Sequence, residues 1–274
     1  MKTALVLEGG AMRGMYTAGV LDVFLEEGRT FDGVIGVSAG ALFGVNFLSK
    51  QKGRVIRYNK KYNKDSNYMG IKPLLRTGNI VDTDYAYVKV PRELDPFDDE
   101  AYQRSKVPFY AVITNMKTGK PEYKLIDSVF DRMETLRASG SMPFVSKPVK
   151  LDGNLYLDGA ITDSIPYEYM LQKGYDHVVV VLTKAAGYVK KAMPPFLTKL
   201  YYKKKYPEFE RTVRERHIMY NGQMERLKEL EKQGKATIIQ PSEEISISRI
   251  EKDPKKLQAL YDLGIKDAIA YCRK

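Results

Sequence analysis

The sequence predicts an α/β fold with a mostly parallel central sheet, followed by a basic, mainly helical C-terminal part. Three observations carry this expectation. Short apolar runs alternate with helical spacing through the first half of the chain, glycine-rich turns stand between them, and beyond Lys184 the pattern gives way to a lysine- and tyrosine-rich stretch with longer helical periodicity. The 274 residues, 43% hydrophobic and 29% charged, suffice for one large domain or two modest ones with a sizeable core, and rule out collagen-like, coiled-coil and wholly disordered chains.

Ala4 to Leu7 is an apolar run that ends in the turn Glu8-Gly9-Gly10-Ala11-Met12-Arg13-Gly14. Val20, Leu21, Phe24 and Leu25 then repeat at helical spacing, with Gly28 as the stop. Val34-Ile35-Gly36-Val37 is a second buried strand and Ala39 to Leu48 a helix, so the chain reads strand–turn–helix twice, the pattern of parallel strands with right-handed crossovers. Residues 50–105 are less regular and are expected as helices and loops. A strand over Phe109 to Thr114, a hairpin turn over Asn115 to Lys120, a return through Glu122 to Ile126 and a helix over Val129 to Ala138 follow. A loop with Pro143 and Pro148 leads to a turn-rich pair around Leu151 to Gly159, a short helix from Pro166 to Gln172 and a buried strand from His177 to Leu182.

Pro194-Pro195 then interrupts, and a basic-aromatic block from Phe196 to Tyr206 precedes a helix beginning near Pro207, whose apolar stripe is Phe209, Val213, His217, Tyr220, Met224 and Leu227. Ala236 to Gln240 is a strand. Asp253-Pro254 opens a last helix as N-cap and first-turn proline, with Leu257, Leu260, Tyr261, Ile265 and Ile269 on one face. The change of pattern places a boundary near residue 185, dividing the chain into 1–185 and a basic extension, 186–274. There is no internal repeat or low-complexity tract.

No apolar run approaches the ~20 residues of a membrane-spanning helix. The opening Met1-Lys2-Thr3-Ala4-Leu5-Val6-Leu7-Glu8 meets an acid too early for a secretory signal core. The single cysteine, Cys272, has no internal disulfide partner and is misplaced for prenylation, whose position is held by Tyr271. With one cysteine and two histidines the chain is poor in zinc ligands, and no metal site is expected. These features read as a cytoplasmic protein. Lysine and arginine number 45 against 34 acids, a net of +11, and residues 184–235 hold fourteen basic against six acidic side chains. Such a stretch favours anionic partners: phospholipid headgroups, nucleic acid or another protein.

Gly36-Val37-Ser38-Ala39-Gly40 has the G-x-S-x-G form of a nucleophile elbow, with a strand before it and a helix after it. Glycines permit a turn tight enough to project the Ser38 hydroxyl above the sheet edge, and the helix start offers N–H groups, that of Ala39 first, to a developing oxyanion. The same pattern also fits an ordinary glycine-rich strand-to-helix turn. The Gly9, Gly10, Ala11, Met12, Arg13, Gly14 turn follows the adjacent parallel strand and would lie at the same carboxyl edge, where its amides could converge above Ser38. Arg13 could hold the loop or attract a phosphate. A dinucleotide or phosphate cradle fits less well: the spacing is G-G-x-x-x-G, not G-x-G-x-x-G, and no Gly-Lys-Ser/Thr follows. A base for Ser38 could be His177, at the start of an apolar strand, or His217, on a helical stripe. His177 also fits a partner of local backbone, and a carboxylate can instead take the proton directly, with Asp152, Asp158 and Asp163 as candidates. Asp158-Gly159 also fits a plain hairpin turn.

Together the Gly9–Gly14 loop, Gly36-Val37-Ser38-Ala39-Gly40 and Asp158-Gly159-Ala160 resemble the patatin-like phospholipase family, and more narrowly a bacterial member with a C-terminal extension. Thr114-Asn115 with Gly119, and Ala138-Ser139-Gly140-Ser141-Met142-Pro143, match as well, and the resemblance covers about residues 3 to 183. It implies a three-layer α/β sandwich and a Ser38–Asp158 dyad without histidine. It also implies an oxyanion loop at Gly9–Gly14, and hydrolysis of acyl esters in phospholipids or other lipids with no cofactor. Ala11 stands where many members carry a third glycine; an alanine still donates its N–H unless the turn requires positive φ. The extension reads as a lid or membrane-facing piece, with peripheral contact to anionic membrane through residues 184–235, or as a solvated basic helix covering the domain edge. No nucleic-acid-binding module is evident, and no nucleic-acid partner is expected. The rivals are a lipid transacylase, which delivers the acyl group to an alcohol, and a catalytically idle lipid-binding module.

Overall fold

The computed structural model describes residues 1–273; Lys274, the last residue of the predicted extension, lies outside them. Strand β1 (Thr3–Leu7) leads through a 3₁₀ turn (Ala11–Gly14) into α1 (Met15–Glu26), and β2 (Gly33–Val37) passes into α2 (Ala39–Leu48) with one residue between them. The less regular region resolves into α3 (Arg54–Tyr62), α4 (Ile71–Thr77), a π-wound segment (Tyr85–Leu94) and α5 (Asp99–Arg104). Then come β3 (Phe109–Asn115), β4 (Pro121–Leu125), α6 (Met133–Gly140), β5 (Val149–Leu151), β6 (Asn154–Asp158), α7 (Tyr167–Gln172) and β7 (His177–Val181). The C-terminal part holds α8 (Pro195–Thr198) running into a π-wound turn (Lys199–Lys203), α9 (Pro207–Lys232), β8 (Ala236–Ile239) and α10 (Pro254–Cys272).

Most boundaries follow the apolar pattern. α6 starts at Met133 and not at Val129, because Asp99 accepts from the Val129 N–H (2.7 Å) and the Ser128 hydroxyl (2.8 Å), which pins the preceding residues in a turn. α10 begins as expected: the Asp253 carboxylate accepts from the Lys255 N–H at 2.9 Å, and Pro254 occupies the first turn.

Strands β8, β7, β1, β2 and β3 run mutually parallel, while β4 and β6 lie antiparallel to β3, and β5 antiparallel to β6. Side chains alternate between the two faces of the sheet with period two. Leu5, Leu7, Val34 and Phe109 enter a core with α1, α2 and α10; Ala4, Val6, Ile35 and Val37 enter a second core with Tyr167 and Met170 of α7 and Tyr220 and Leu227 of α9. This is a three-layer sandwich, and coverage of both faces explains why all five residues of β2 are apolar or glycine and buried.

Register places one junction that matters for the site. Tyr110 pairs with Ile35 of β2 on one side and Leu125 of β4 on the other; Ile113 pairs with Glu122 of β4 and, on its opposite side, Asp158 of β6. β2 and β6 therefore lie end to end along one edge of β3, carboxyl ends facing each other. Residues 186–274 are built into the same body: β8 extends the sheet beside β7, and α10 packs on α1. Residue 185 marks a change of composition, while packing continues across it.

Candidate active site

Ser38 is the single residue between β2 and α2, and its backbone takes φ 55° and ψ −123°, outside the regions an L-residue favours. The flanking glycines make this possible. A Cβ on Gly36 would lie 2.5 Å from the Gly40 carbonyl oxygen, and one on Gly40 would lie 2.3 Å from that of Leu7, so the turn is closed on itself and on β1. The Ser38 N–H donates to Ser139 Oγ on α6 at 2.9 Å, which fixes the elbow from the opposite side.

The end-to-end meeting of β2 and β6 brings Asp158 to this hydroxyl: Ser38 Oγ donates to Asp158 Oδ2 at 2.8 Å, and both residues are buried. Asp158 is held on every side. Its Oδ1 accepts from the Ala160 N–H (2.8 Å), its own N–H donates to the Ser141 carbonyl (2.8 Å), and its carbonyl accepts from Thr114 Oγ1 (2.9 Å). Burial raises its pKa above the ordinary carboxylate value. The Arg216 cation, the Ala160 amide and the Ser38 hydroxyl pull the other way without cancelling it. A carboxylate raised in this way is a better proton acceptor for an alcohol than one in water.

The glycine-rich loop lies on the elbow, since a Cβ on Gly9 would sit 2.9 Å from Ser38 Cβ. Its amides are not equivalent. Met12 N–H donates to the Arg249 carbonyl (3.4 Å) and Arg13 N–H to the Gly10 carbonyl (3.1 Å), so these two are occupied. Gly14 is buried, with Phe43 and Ala39 where its side chain would be. Among the described residues the amides of Gly9, Gly10, Ala11 and Ala39 have no protein acceptor. The loop turns at Ala11, whose φ is 50°: the turn does require the left-handed region, and alanine adopts it at a cost of about 1 kcal/mol.

Ser38 stands where two cavities meet. One, of about 140 Å³, is mainly apolar, with Leu42, Phe43, Val90, Val129, Leu136 and Met142 in its walls. The other, of about 340 Å³, also contains Asp158 and combines apolar walls, Phe144 and Met193 among them, with the cations Arg13, Lys184, Lys190, Arg216 and Arg249. An acyl chain and a polar group joined at an ester would therefore find different surroundings on the two sides of the same hydroxyl.

The remaining candidates lie elsewhere. Asp152 is in the exposed turn between β5 and β6. Asp163 is buried but spends its oxygens on Gln223 Nε2 (2.6 Å) and the Tyr123 hydroxyl (2.8 Å). His177 contacts the Gly234 carbonyl and Thr237 Oγ1 at the amino end of β7, and His217 contacts the Arg214 carbonyl one turn earlier on α9. Among the described residues no three His, Cys, Asp or Glu side chains converge in a group that could hold a metal ion. Sequence reasoning missed Lys190, Arg216 and Arg249 in the cationic chamber; they sit in no motif, and the only signal was the unexplained basic excess after Lys184.

The patatin-like phospholipase family model matches residues 5–171, and a domain of unknown function matches residues 206–274. The uncharacterized protein YjjU of Escherichia coli (strain K12) is 31% identical over 186 residues, covering 66% of this chain and 52% of its own length. The neuropathy target esterase sws of Drosophila melanogaster is 28% identical over 185 residues (65% of this chain, 12% of its own), and lysophospholipase nte1 of Aspergillus fumigatus 27% over 184 (65% and 12%). The chain spans about half the length of the first of these curated relatives and a far smaller part of the other two. The family match runs from β1 through α7 and so contains the elbow, the glycine-rich loop and Asp158; the chain belongs to the patatin-like phospholipase family.

Proposed function

We propose that this protein hydrolyses acyl esters of lipids, phospholipids foremost, with Ser38 as nucleophile and Asp158 as its base. The observation that carries the reading is the 2.8 Å hydrogen bond from Ser38 Oγ to Asp158 Oδ2, placed at the junction of an apolar and a cationic cavity. Relatives named as an esterase and a lysophospholipase support the same class of chemistry.

Ser38 Oγ bonds to the ester carbonyl carbon as its proton passes to Asp158, and the carbonyl electron pair moves onto oxygen. Amides without a protein acceptor, those of Gly9, Gly10, Ala11 and Ala39, supply hydrogen bonds to that oxyanion; loss of one such donor typically costs about 10²–10³ in kcat. Collapse breaks the bond to the alcohol oxygen, which leaves with the proton from Asp158. Water then adds to the acyl-serine, giving its proton to Asp158, and the second collapse expels Ser38 Oγ, which recovers the proton as the fatty acid departs. We further propose that the basic segment 184–235 meets an anionic lipid surface during this cycle.

A fluorophosphonate probe tests the nucleophile. It is expected to label wild-type protein at Ser38 by mass spectrometry, while Ser38→Ala takes no label and releases no fatty acid from phospholipid or monoacyl substrates. Fatty-acid release by Ser38→Ala at the wild-type rate would remove the serine mechanism; absence of label and turnover in wild type would favour an idle lipid-binding module.

A further inference from the structure

The cationic chamber holds more charge than ester hydrolysis needs. Among the described residues, none of Arg13, Lys184, Lys190, Arg216 and Arg249 forms an ion pair with a carboxylate. Nε of Arg13 and of Arg216 is buried without a hydrogen-bond partner. The two acids that line the same space are already engaged. Glu8 accepts from the Thr183 N–H (2.6 Å), the Thr183 hydroxyl (3.0 Å) and the Tyr220 hydroxyl (3.0 Å); Asp158 accepts from Ser38 and Ala160.

Holding these cations together in one cavity is unfavourable. Burial lowers the pKa of Arg13 and Arg216, with Glu8 and Asp158 respectively opposing it only in part; burial and then a neighbouring arginine lower that of Lys184 and push that of Lys190 down to about 7. Unpaired cations grouped in a cavity are relieved by an anion bound among them. A quaternary or primary ammonium would need the opposite: an open carboxylate or an open aromatic face. Two nearby rings are taken by the protein's own cations, with Lys184 Nζ 4.6 Å from the Tyr188 ring centre and Lys190 Nζ 4.6 Å from that of Tyr220, and the ring of Phe144 packs on Tyr201 and Tyr202.

We propose that this chamber is the headgroup subsite of the lipid ester substrate and selects a net-anionic phosphate headgroup over a zwitterionic one. The proposal rests on the reading of Ser38 as nucleophile, because it is Ser38 that joins the chamber to the apolar cavity. The shared chemistry is a phosphate oxyanion, which free phosphate also offers; the apolar cavity across Ser38 argues for the lipid.

The test is a calorimetric titration of full-length Ser38→Ala with three probes below their aggregation limits: 1-O-octyl-glycerol-3-phosphate, its phosphocholine counterpart and inorganic phosphate. The ether lipid phosphate is expected to bind at least about tenfold more tightly than either of the others. Adding Lys190→Gln should reduce its advantage over the phosphocholine lipid about threefold or more; Arg216→Gln provides a second variant if the first fails to fold. Equal binding of the two lipids, or an advantage untouched by the substitutions, overturns the subsite. Inorganic phosphate binding as tightly as the lipid phosphate assigns the cations to a free anion and overturns it too. Because binding is read on an inactive variant, the outcomes separate. Selective binding with no wild-type ester turnover sinks the hydrolase reading alone, and turnover without headgroup preference sinks the subsite alone.

Discussion

A buried carboxylate beside a serine is a place where function and stability pull in opposite directions. Burial raises the pKa of Asp158 in the folded protein above its ordinary 3.8, so the folded state holds that proton more readily than the unfolded chain does. The stabilisation from this linkage is complete below the unfolded value and is lost as pH rises through the folded one; at neutral pH the ionised group therefore costs stability. Asp158→Asn keeps the size and the Ser38 hydrogen bond but removes the charge. Its expected outcome is a fall in ester turnover of roughly 10³-fold or more, together with an unfolding midpoint at pH 8 at or above that of wild type, and a difference that narrows toward acid pH. Wild-type kcat/KM should decline as pH falls through the raised value, since only the ionised carboxylate accepts the serine proton. Thermal melts and pH–rate profiles check both; a clearly lower midpoint at pH 8 would show that the charge stabilises the fold. Ser38 and Asp158 were legible in the sequence because each sits in a short pattern where glycine leaves a local trace. Lys190, Arg216 and Arg249 were not, because their meeting depends on segments far apart in the chain and none has a neighbour that marks its purpose. The backbone of Ala11 was left open for a related reason: nothing local announces that a residue will be forced to φ 50°.

Elements show the same division between local and distant causes. The strand–turn–helix pairs that carry the loop and the elbow were readable because burial on both faces leaves unbroken apolar strands. Residues 50–105 were not, because side-chain bonds across the region help to organise their short helices. Arg54 on α3 donates from Nε to the Asp95 carbonyl at 3.1 Å, and Arg57 holds the Asp95 carboxylate with two bonds of 2.7 and 2.8 Å. The crossing of α1 and α10 is a sharper case, because propensity and packing disagree there. A Cβ on Gly264 would lie 2.2 Å from the Tyr16 carbonyl oxygen, and one on Gly19 would lie 2.1 Å from that of Tyr261. Helix propensity alone says Gly264→Ala should stabilise α10 by roughly 1 kcal/mol. The clash is with backbone, which has no rotamer to yield, and forced overpacking of this kind costs about 1–3 kcal/mol. Packing is the larger effect. Gly264→Ala is expected to lower the denaturation midpoint in urea with unchanged slope; a midpoint raised above wild type would mean that the two helices part at little cost.

At the scale of the whole molecule, a chain of net charge +11 carries exposed apolar side chains on two short segments tied to the wall of the cationic chamber. Phe144 in the wall of the cationic chamber packs its ring on Tyr201 and Tyr202, and its N–H donates to the Tyr202 hydroxyl. Ile80, in the same wall, bonds to Val145 just beyond α4. In the segments next to these supports Phe196, Leu200 and Tyr201, and Ile71 and Leu75, are each more than half exposed, with Lys199, Lys203, Lys204, Lys72 and Arg76 nearby in sequence. Among the described residues no helix is long and apolar enough to cross a membrane. On the proposed reading, a long-chain lipid reaches Ser38 from a lipid surface. Apolar residues on short helices can enter the acyl boundary while lysines remain with the headgroups. The protein is expected to float with vesicles containing phosphatidylglycerol and not with purely phosphatidylcholine vesicles, and the bound fraction should fall as salt rises and the Debye length contracts from about 10 Å at 0.1 M toward about 3 Å at 1 M. Leu200→Asp should lower binding at every salt concentration, because it removes the contribution that salt does not screen, whereas Lys203→Gln should lower it chiefly at low salt. Neither residue lines the two cavities, so turnover of a soluble short-chain ester separates a docking defect from a catalytic one. Vesicle binding indifferent to both salt and Leu200→Asp would return the basic block to a solvated cover over the sheet.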